Sequence, residues 1–168
     1  MVSYPSRLAH SRPYWCLSAV LRASVRRAPA VKNVCYLCVV PKKRILCVDD
    51  EKVVLNTLMG QLYQTFGNRY LYEAFTSAEE AEEFIDEIYA EGENVHLIIC
   101  DWLMPRVKGD EFLVRVHKRF PDVGLIMLSG QASPEAIERA KNEAHILAFV
   151  SKPWDKDELM GLVQKALE

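Results

Sequence analysis

The sequence lacks an apolar stretch of the length that a membrane-spanning helix needs, which is about 20 residues. The apolar residues 14–21 form a short segment that Arg22 interrupts. No clear signal-peptide cleavage site follows, because Arg26 and Arg27 lie where small residues are expected. We therefore expect no membrane association, and we expect the protein to act in the cytoplasm.

A complete cysteine-based metal or redox motif is also missing. Cys35 and Cys38 have the CxxC spacing, but neither a second pair nor a suitably placed histidine accompanies them. Cys47 and Cys100 fall within predicted buried strands, where a free cysteine is typically a small apolar side chain. The cysteine pattern alone thus assigns no function to the chain.

Acidic residues are absent from the first part of the chain. Residues 1–44 contain nine of the 21 Lys and Arg residues and none of the 23 Asp and Glu residues. The rest of the chain is therefore acidic, and an acidic domain is repelled by the phosphates of nucleic acids. We expect no direct binding to nucleic acid. The change in composition near residue 40 predicts one folded domain over residues 41–168.

Residues 1–40 show no sustained helix or strand period, and three interpretations stay open. The segment has the composition of an organellar transit peptide and also that of a disordered basic arm. The third interpretation, which we favour, is upstream sequence that is not native to the protein, with translation starting near Val40. Amino-terminal sequencing of the protein made from its native gene distinguishes them.

From residue 44 onward, short apolar runs alternate with segments whose apolar residues recur at helical spacing. Ser77 and Glu80 form a capping box that predicts the start of the second helix. Such alternation is typical of an α/β fold with one parallel sheet covered on both faces. We expect a (βα)5 doubly wound, flavodoxin-like fold with strand order 2-1-3-4-5. The predicted strands are 44–48, 70–75, 95–100, 124–128 and 147–150.

Polar residues follow four of these five strands. Asp49 and Asp50 follow strand one, Asp101 follows strand three, Ser129 follows strand four and Lys152 follows strand five. The carboxyl ends of parallel strands meet at one edge of the sheet, so we expect these side chains to lie together. Neighbouring carboxylates repel, and such a cluster either retains protons or binds a hard cation such as Mg²⁺. Acids, a metal, a lysine and a hydroxyl are the groups used in phosphoryl transfer.

These residues, in this order, resemble the receiver domain of two-component response regulators, in particular a stand-alone, chemotaxis-regulator-like one. The resemblance covers roughly residues 44–168. In its terms, Asp49 and Asp50 look like the acidic pair that binds Mg²⁺. Asp101, in Asp-Trp-Leu-Met-Pro, looks like the phosphoacceptor. The remaining matches are the loop glycine Gly109, the switch hydroxyl Ser129, the switch aromatic Phe149 and the pair Lys152–Pro153, whose peptide bond is expected to be cis.

The resemblance implies a signalling domain rather than an enzyme. Asp101 would accept a phosphoryl group from a sensor histidine kinase, a phosphotransfer protein or a small donor. The Mg²⁺ ligands would be Asp50, Asp101 and the backbone carbonyl of Leu103, with Asp49 acting through water. Ser129 and Phe149 would then rearrange and remodel the face of helix four, strand five and helix five for a downstream output protein, or for a second copy of the chain.

Two residues beside the site have positions that tune the lifetime of the phosphoryl group in this family, Leu103 and Gln131. An apolar Leu103 cannot orient an attacking water molecule, so we expect a fairly long-lived phosphoryl group. The chain contains no recognisable output domain, which is expected for a stand-alone receiver and equally for a fragment of a longer regulator.

Three other functions remain to be weighed. A haloacid-dehalogenase-like phosphatase also uses a nucleophilic aspartate, Mg²⁺ and lysine, but it requires Asp-x-Asp after strand one, where this chain has adjacent acids. A flavodoxin requires a phosphate-binding loop at that place, and the acids here would repel the FMN phosphate. A degenerate receiver that acts only as a binding module is the third, and the presence of every acceptor residue argues against it.

Overall fold

A five-stranded parallel sheet lies at the centre of residues 42–168, the part of the chain that the computed structural model describes. The interpretations of residues 1–40 lie outside this range. Within it, no helix has both the length and the apolar character that crossing a bilayer requires. The strands are β1 (Arg44–Val48), β2 (Leu71–Phe75), β3 (Leu97–Asp101), β4 (Gly124–Ser129) and β5 (Ala148–Ser151). The helices are α1 (Lys52–Phe66), α2 (Ala78–Ala90), α3 (Gly109–Arg119), α4 (Pro134–Glu143) and α5 (Lys156–Leu167), with a short 3-10 helix at Gly67–Arg69.

The strand order is β2-β1-β3-β4-β5, and every neighbouring pair is parallel. This order confirms the predicted doubly wound, flavodoxin-like fold. β1 and β3 are neighbours in the middle of the sheet, although α1, β2 and α2 separate them in the chain. The strand order therefore reverses between β1 and β3, which is where open α/β sheets place a ligand.

Alternate side chains of the central strands enter two apolar cores, one on each face of the sheet. Leu46 and Ile98 belong to the core beneath α2, α3 and α4, whereas Ile45 and Leu97 belong to the core beneath α1 and α5. Because both faces are covered, β3 is buried at all five positions. This double burial is the reason that the strands are continuous apolar runs in the sequence.

Three strands extend further toward their carboxyl ends than predicted. β3 includes Asp101, which pairs with Leu128, and β4 includes Ser129, which pairs with Ser151 at the end of β5. In each case the apolar run ends one residue before the strand does. A residue with a polar side chain can still extend the strand, because its backbone pairs with the neighbouring strand. These polar residues are consequently held by the sheet rather than by flexible loops.

The predicted capping box at the start of α2 is only half formed. The hydroxyl of Ser77 accepts the backbone N–H of Glu80 at 3.2 Å, as expected. The Glu80 carboxylate, however, accepts from the backbone N–H of Thr76 at 3.4 Å and from the Thr76 hydroxyl at 3.3 Å. The reciprocal bond is therefore displaced by one residue, because the threonine offers a second donor to the same carboxylate.

Gly109 marks a close approach of backbone to backbone at the start of α3. Its N–H donates to the carbonyl of Trp102 at 2.8 Å. A Cβ atom at this position would lie 2.0 Å from the carbonyl oxygen of Asp101. Only glycine fits, because the atom that would have to move belongs to the backbone of the central strand.

The substitution Gly109→Ala should therefore destabilise the fold by about 2 kcal/mol or more, since the overpacked backbone cannot relax cheaply. Gly60→Ala is the matched control, because Gly60 is in the middle of α1 with no atom within 4 Å of an added Cβ. We expect that change to stabilise the protein by about 0.5–1 kcal/mol, as alanine favours helix. Urea unfolding measures the stability of both variants. Equal effects of the two substitutions would contradict the close approach of the Gly109 and Asp101 backbones.

Candidate functional site

Four strands deliver polar side chains to the same edge of the sheet. Asp49 follows β1, Asp101 ends β3, Ser129 ends β4 and Lys152 follows β5. The parallel register sets Val48 beside Cys100, so the residues that follow β1 and end β3 meet across the switch point of the sheet. The structure thus brings together the side chains that sequence reasoning selected, although proximity alone does not establish their roles.

Lys152 joins the two buried carboxylates of this edge. Its Nζ atom lies 2.6 Å from Oδ2 of Asp49 and 2.8 Å from Oδ1 of Asp101. Both aspartates are almost fully buried, whereas the Lys152 side chain is partly exposed. The backbone N–H of Lys152 donates to the carbonyl of Ser129 at 3.0 Å, which holds the lysine at this edge. The peptide bond between Lys152 and Pro153 is cis, as expected.

The carboxylates of Asp49, Asp50 and Asp101 form a cluster that fits a small hard cation. One oxygen from each residue lies within 4.8 Å of the others. All donors are oxygen atoms, and Asp50 is exposed, so water molecules can complete an octahedral shell. Asp49 is oriented by the backbone N–H of Glu51, which donates to its Oδ1 at 2.9 Å. The donor set therefore suits Mg²⁺.

The pKa values of Asp101 and Lys152 are set by two opposing effects, namely burial, which disfavours the charged form, and the attraction between opposite charges, which favours it. Burial raises the pKa of Asp101 and the negative charge of Asp49 raises it further, which together outweigh the hydrogen bond and positive charge of Lys152. Burial alone would lower the pKa of Lys152, but the hydrogen bonds to Asp101 and Asp49, together with the negative charges of these two residues, outweigh that effect and leave the pKa raised. Lys152 thus stays protonated, while Asp101 is costlier to ionise than an ordinary aspartate.

A cleft of about 170 Å³ opens over Asp101. Its walls include Leu103 and Gln131, which the sequence suggested as neighbours of the reacting group, together with Ser129, Gly130, Glu51 and Lys152. The Leu103 side chain is 54% exposed at its mouth. The cleft is thus large enough for a group of a few heavy atoms beside the Asp101 carboxylate.

Three predicted site residues have surroundings that do not yet match their predicted roles. The backbone N–H of Leu103 donates to Oδ2 of Asp101 at 3.1 Å, whereas the prediction concerned the Leu103 carbonyl. The hydroxyl of Ser129 accepts the N–H of Gln131 at 3.0 Å. Phe149 is half-buried, packs on the core beneath α2, α3 and α4, and is not among the residues that line the cleft. The proposed roles of these three residues stay predictions.

Sequence reasoning missed two residues near the site. Glu51, to which no role was given, lines the cleft and orients Asp49 through its N–H. Asp110 is buried and accepts the indole N–H of Trp102 at 3.0 Å. An acid in the first turn of a helix usually indicates a favourable helix-end charge. The sequence around Asp110 is equally consistent with an exposed helix-end charge and with a buried carboxylate, so no local pattern predicts the contact with Trp102.

Comparison with known proteins gives consistent matches. The family described as the response regulator receiver domain matches residues 45–164. The chain is 36% identical over 129 residues to the hydrogenase transcriptional regulatory protein HoxA of Bradyrhizobium diazoefficiens, covering 74% of this chain and 24% of that protein. The chain thus spans about a quarter of the length of this relative.

Solved structures of the same kind have the same fold. The signal receiver domain of an HD domain-containing protein from Pseudomonas fluorescens Pf-5 is 29% identical, with a TM-score of 0.67 over 76% of this chain and 95% of that chain. A CheY-like response regulator receiver domain from Methanospirillum hungatei JF-1 is 30% identical, with a TM-score of 0.66 over 76% and 94% of the two chains.

A doubly wound sheet with an acidic, lysine-containing cleft at its switch point is the arrangement that the sequence led us to expect of a two-component signalling domain. The chain belongs to the response regulator receiver domain family, as the match over residues 45–164 shows. The resemblance noted in the sequence is thereby confirmed.

The raised pKa of Asp101 has a consequence for stability. A carboxyl group with a folded pKa above its unfolded value contributes stability that is fully present below the unfolded pKa and is lost as the pH rises through the folded pKa. At neutral pH the ionised Asp101 therefore costs stability, and Asp101→Asn should raise the melting temperature by a few degrees without Mg²⁺. The difference should shrink as the pH falls.

Mg²⁺ should stabilise the wild type more than the variant. Thermal unfolding with and without Mg²⁺ measures these effects, and a variant that melts below the wild type at neutral pH would contradict the argument.

Proposed function

We propose that this chain is a phosphoacceptor signalling domain in which Asp101 receives a phosphoryl group from the histidine of a sensor kinase or a phosphotransfer protein. The observation that carries the proposal is the contact of Lys152 with both Asp101 and Asp49 beneath an open cleft. A lysine so placed offers positive charge to a group that enters the cleft beside the Asp101 carboxylate. The match to the receiver family supports the same conclusion.

The reaction is a transfer between two nucleophiles. An oxygen of the Asp101 carboxylate forms a bond to phosphorus, and the bond from phosphorus to the histidine nitrogen breaks, so the electron pair returns to the imidazole, which then takes a proton from solvent. With acetyl phosphate the leaving group is acetate. Lys152 pairs with a phosphoryl oxygen, and its raised pKa keeps it charged throughout.

Asp50, Asp101 and the backbone carbonyl of Leu103 would hold Mg²⁺, with Asp49 acting through water. When bound, the ion neutralises the negative charge on the phosphoryl oxygens and on the carboxylates. The clustering of Asp49, Asp50 and Asp101 supports this ligand set. The exposed position of Asp50 gives the cluster its open side.

The response to phosphorylation would begin at Ser129 and Phe149. The Ser129 hydroxyl, now accepting from Gln131, would turn to donate to the phosphoryl group, and Phe149 would move into the space released. The face formed by α4, β5 and α5 would change for a downstream output protein or for a second copy of this chain. We place this signalling in the cytoplasm, where a kinase and its output partner are both accessible.

Two other functions are weaker. A receiver-like module that binds its partner without phosphorylation would not need the acceptor, metal and lysine groups that this chain assembles at one edge. A Mg²⁺-dependent phosphatase with an aspartate nucleophile would place the reactive acid after β1, whereas the aspartate that lines the cleft, Asp101, ends β3.

The direct test is intact-mass spectrometry after incubation with acetyl phosphate and Mg²⁺. We expect one base-labile phosphoryl group on the wild type and none on Asp101→Asn. Asp122→Asn is the matched control, because Asp122 is exposed in the α3–β4 connection, far from the cluster in the fold, and it should be phosphorylated like the wild type.

Two results would contradict the phosphoacceptor proposal. One is an adduct that persists in Asp101→Asn, which would place the acceptor elsewhere. The other is the absence of an adduct on wild type both with acetyl phosphate and with a panel of phosphorylated kinases. Partner binding that is unchanged in Asp101→Asn would favour the phosphorylation-independent module, and steady release of phosphate from an ester would favour the phosphatase.

The phosphorylated protein should retain its phosphoryl group well beyond seconds, because the exposed Leu103 at the cleft mouth cannot hydrogen-bond an attacking water molecule. Leu103→Asn supplies such a group and should shorten the half-life several-fold. Leu147→Asn is a suitable control, since Leu147 is similarly exposed at 57% but lies outside the cleft. Mass spectrometry over time gives the decay rates, and a wild-type half-life of seconds would refute the prediction.

A further inference from the structure

Asp110 is a buried carboxylate outside the acceptor cluster, and its two oxygens have different partners. It is 4% exposed. Oδ1 accepts the indole Nε1–H of Trp102 at 3.0 Å. Oδ2 lies 3.5 Å from Nη1 of Arg139, which projects from α4. One short side chain at the start of α3 therefore links the segment after Asp101 to a different helix.

The Trp102 end of this link is tightly held. Trp102 directly follows Asp101 and begins the segment that joins β3 to α3, residues 102–108, which we call the acceptor loop. The backbone N–H of Trp102 donates to the carbonyl of Leu128 at 2.9 Å, and the carbonyl of Trp102 accepts the N–H of Gly109 at 2.8 Å. The side chain is 9% exposed. Asp110 is therefore hydrogen-bonded to the residue from which the acceptor loop starts.

The Arg139 end connects to a helix with little apolar anchoring. The fully buried residues of α4 are Ala136 and Ala140, whose small side chains contribute little area to the core, and Ile137 packs against the core only partly buried. Arg139 also approaches Glu111 at 3.9 Å and Glu143 at 3.5 Å, but both glutamates are about half exposed. An ion pair with a buried carboxylate is screened less than pairs with exposed ones. The Asp110 contact should thus count for more in holding α4.

We propose that Asp110 is a positioning residue that couples the acceptor loop to α4, through Trp102 on one side and Arg139 on the other. The carboxylate turns as one rigid group, so a change at one oxygen alters the geometry at the other. Energetic coupling between two places is reciprocal, so α4 also influences the acceptor loop. The inference rests on the proposed function in one respect, namely that Asp101, which directly precedes this loop, is the acceptor.

The test perturbs each end of the link and measures the other. Trp102→Phe removes the indole donor but keeps an aromatic ring for Lys108, which lies 5.2 Å from the ring centroid. We expect backbone amides of α4 to exchange hydrogen about fivefold faster in this variant, a typical size for such coupling. Hydrogen exchange resolved by mass spectrometry or NMR gives the rates without any need for phosphorylation.

Arg139→Gln perturbs the opposite end and is read at the acceptor cluster. We expect the Mg²⁺ affinity of this variant to fall about fivefold, because the acceptor loop contains Leu103, whose backbone carbonyl is one of the proposed Mg²⁺ ligands. Titration calorimetry measures this affinity without relying on tryptophan fluorescence. Arg139→Lys keeps the positive charge and should recover part of the loss.

Glu111→Gln is the matched control. It removes another acidic partner of Arg139 on the same helix as Asp110, and it leaves the Asp110 contacts intact. It should change neither Mg²⁺ affinity nor exchange in α4. The proposal is overturned if Glu111→Gln gives the same changes as Arg139→Gln, or if Trp102→Phe leaves exchange in α4 at the wild-type rate.

Failure of the proposed function gives a different pattern. If Asp101 is not a phosphoacceptor, the mass adduct is missing while Mg²⁺ affinity and α4 exchange still respond to the substitutions. If the wild type does not bind Mg²⁺, the metal assignment fails, and the effect of Trp102→Phe on α4 exchange decides the coupling by itself.

Discussion

The ammonium group of Lys152, held between Asp49 and Asp101, is the interaction on which the functional edge of this domain depends. Two buried carboxylates at adjacent strand ends repel each other, and removing them from water is costly. The lysine offsets only part of that cost, because it supplies one positive charge to two acids and Asp50 adds a third. The surplus of negative charge destabilises the fold and at the same time attracts a cation.

This arrangement follows from the parallel sheet. The register of β1 with β3, and of β4 with β5, delivers each side chain to the same edge without any contribution from loop packing. Asp101 and Ser129 are the last residues of their strands, so the ladder fixes their backbones. Asp101 and Ser129 are thus positioned by the sheet itself, whereas Asp49, Asp50 and Lys152 lie directly beyond the strand ends.

The fold and most of the cluster were accessible from the sequence because they depend on local patterns. Continuous apolar runs identify doubly buried strands, and a polar residue at the end of each run identifies the edge. The contacts of Asp110 were not accessible, since Trp102 and Arg139 approach it from other elements and nothing in the neighbouring sequence distinguishes a buried acid from a helix-end charge. The Glu80 contact with Thr76 escaped prediction for a related reason, because a competing donor one residue away decides the geometry.

The sheet divides the interior into two cores that meet only through its backbone. The helix α1 packs on one of them, together with α5, while α4 packs on the other with α2 and α3. The face of α4, β5 and α5, which we propose to change on phosphorylation, therefore draws on both cores, and a substitution in either core can alter it.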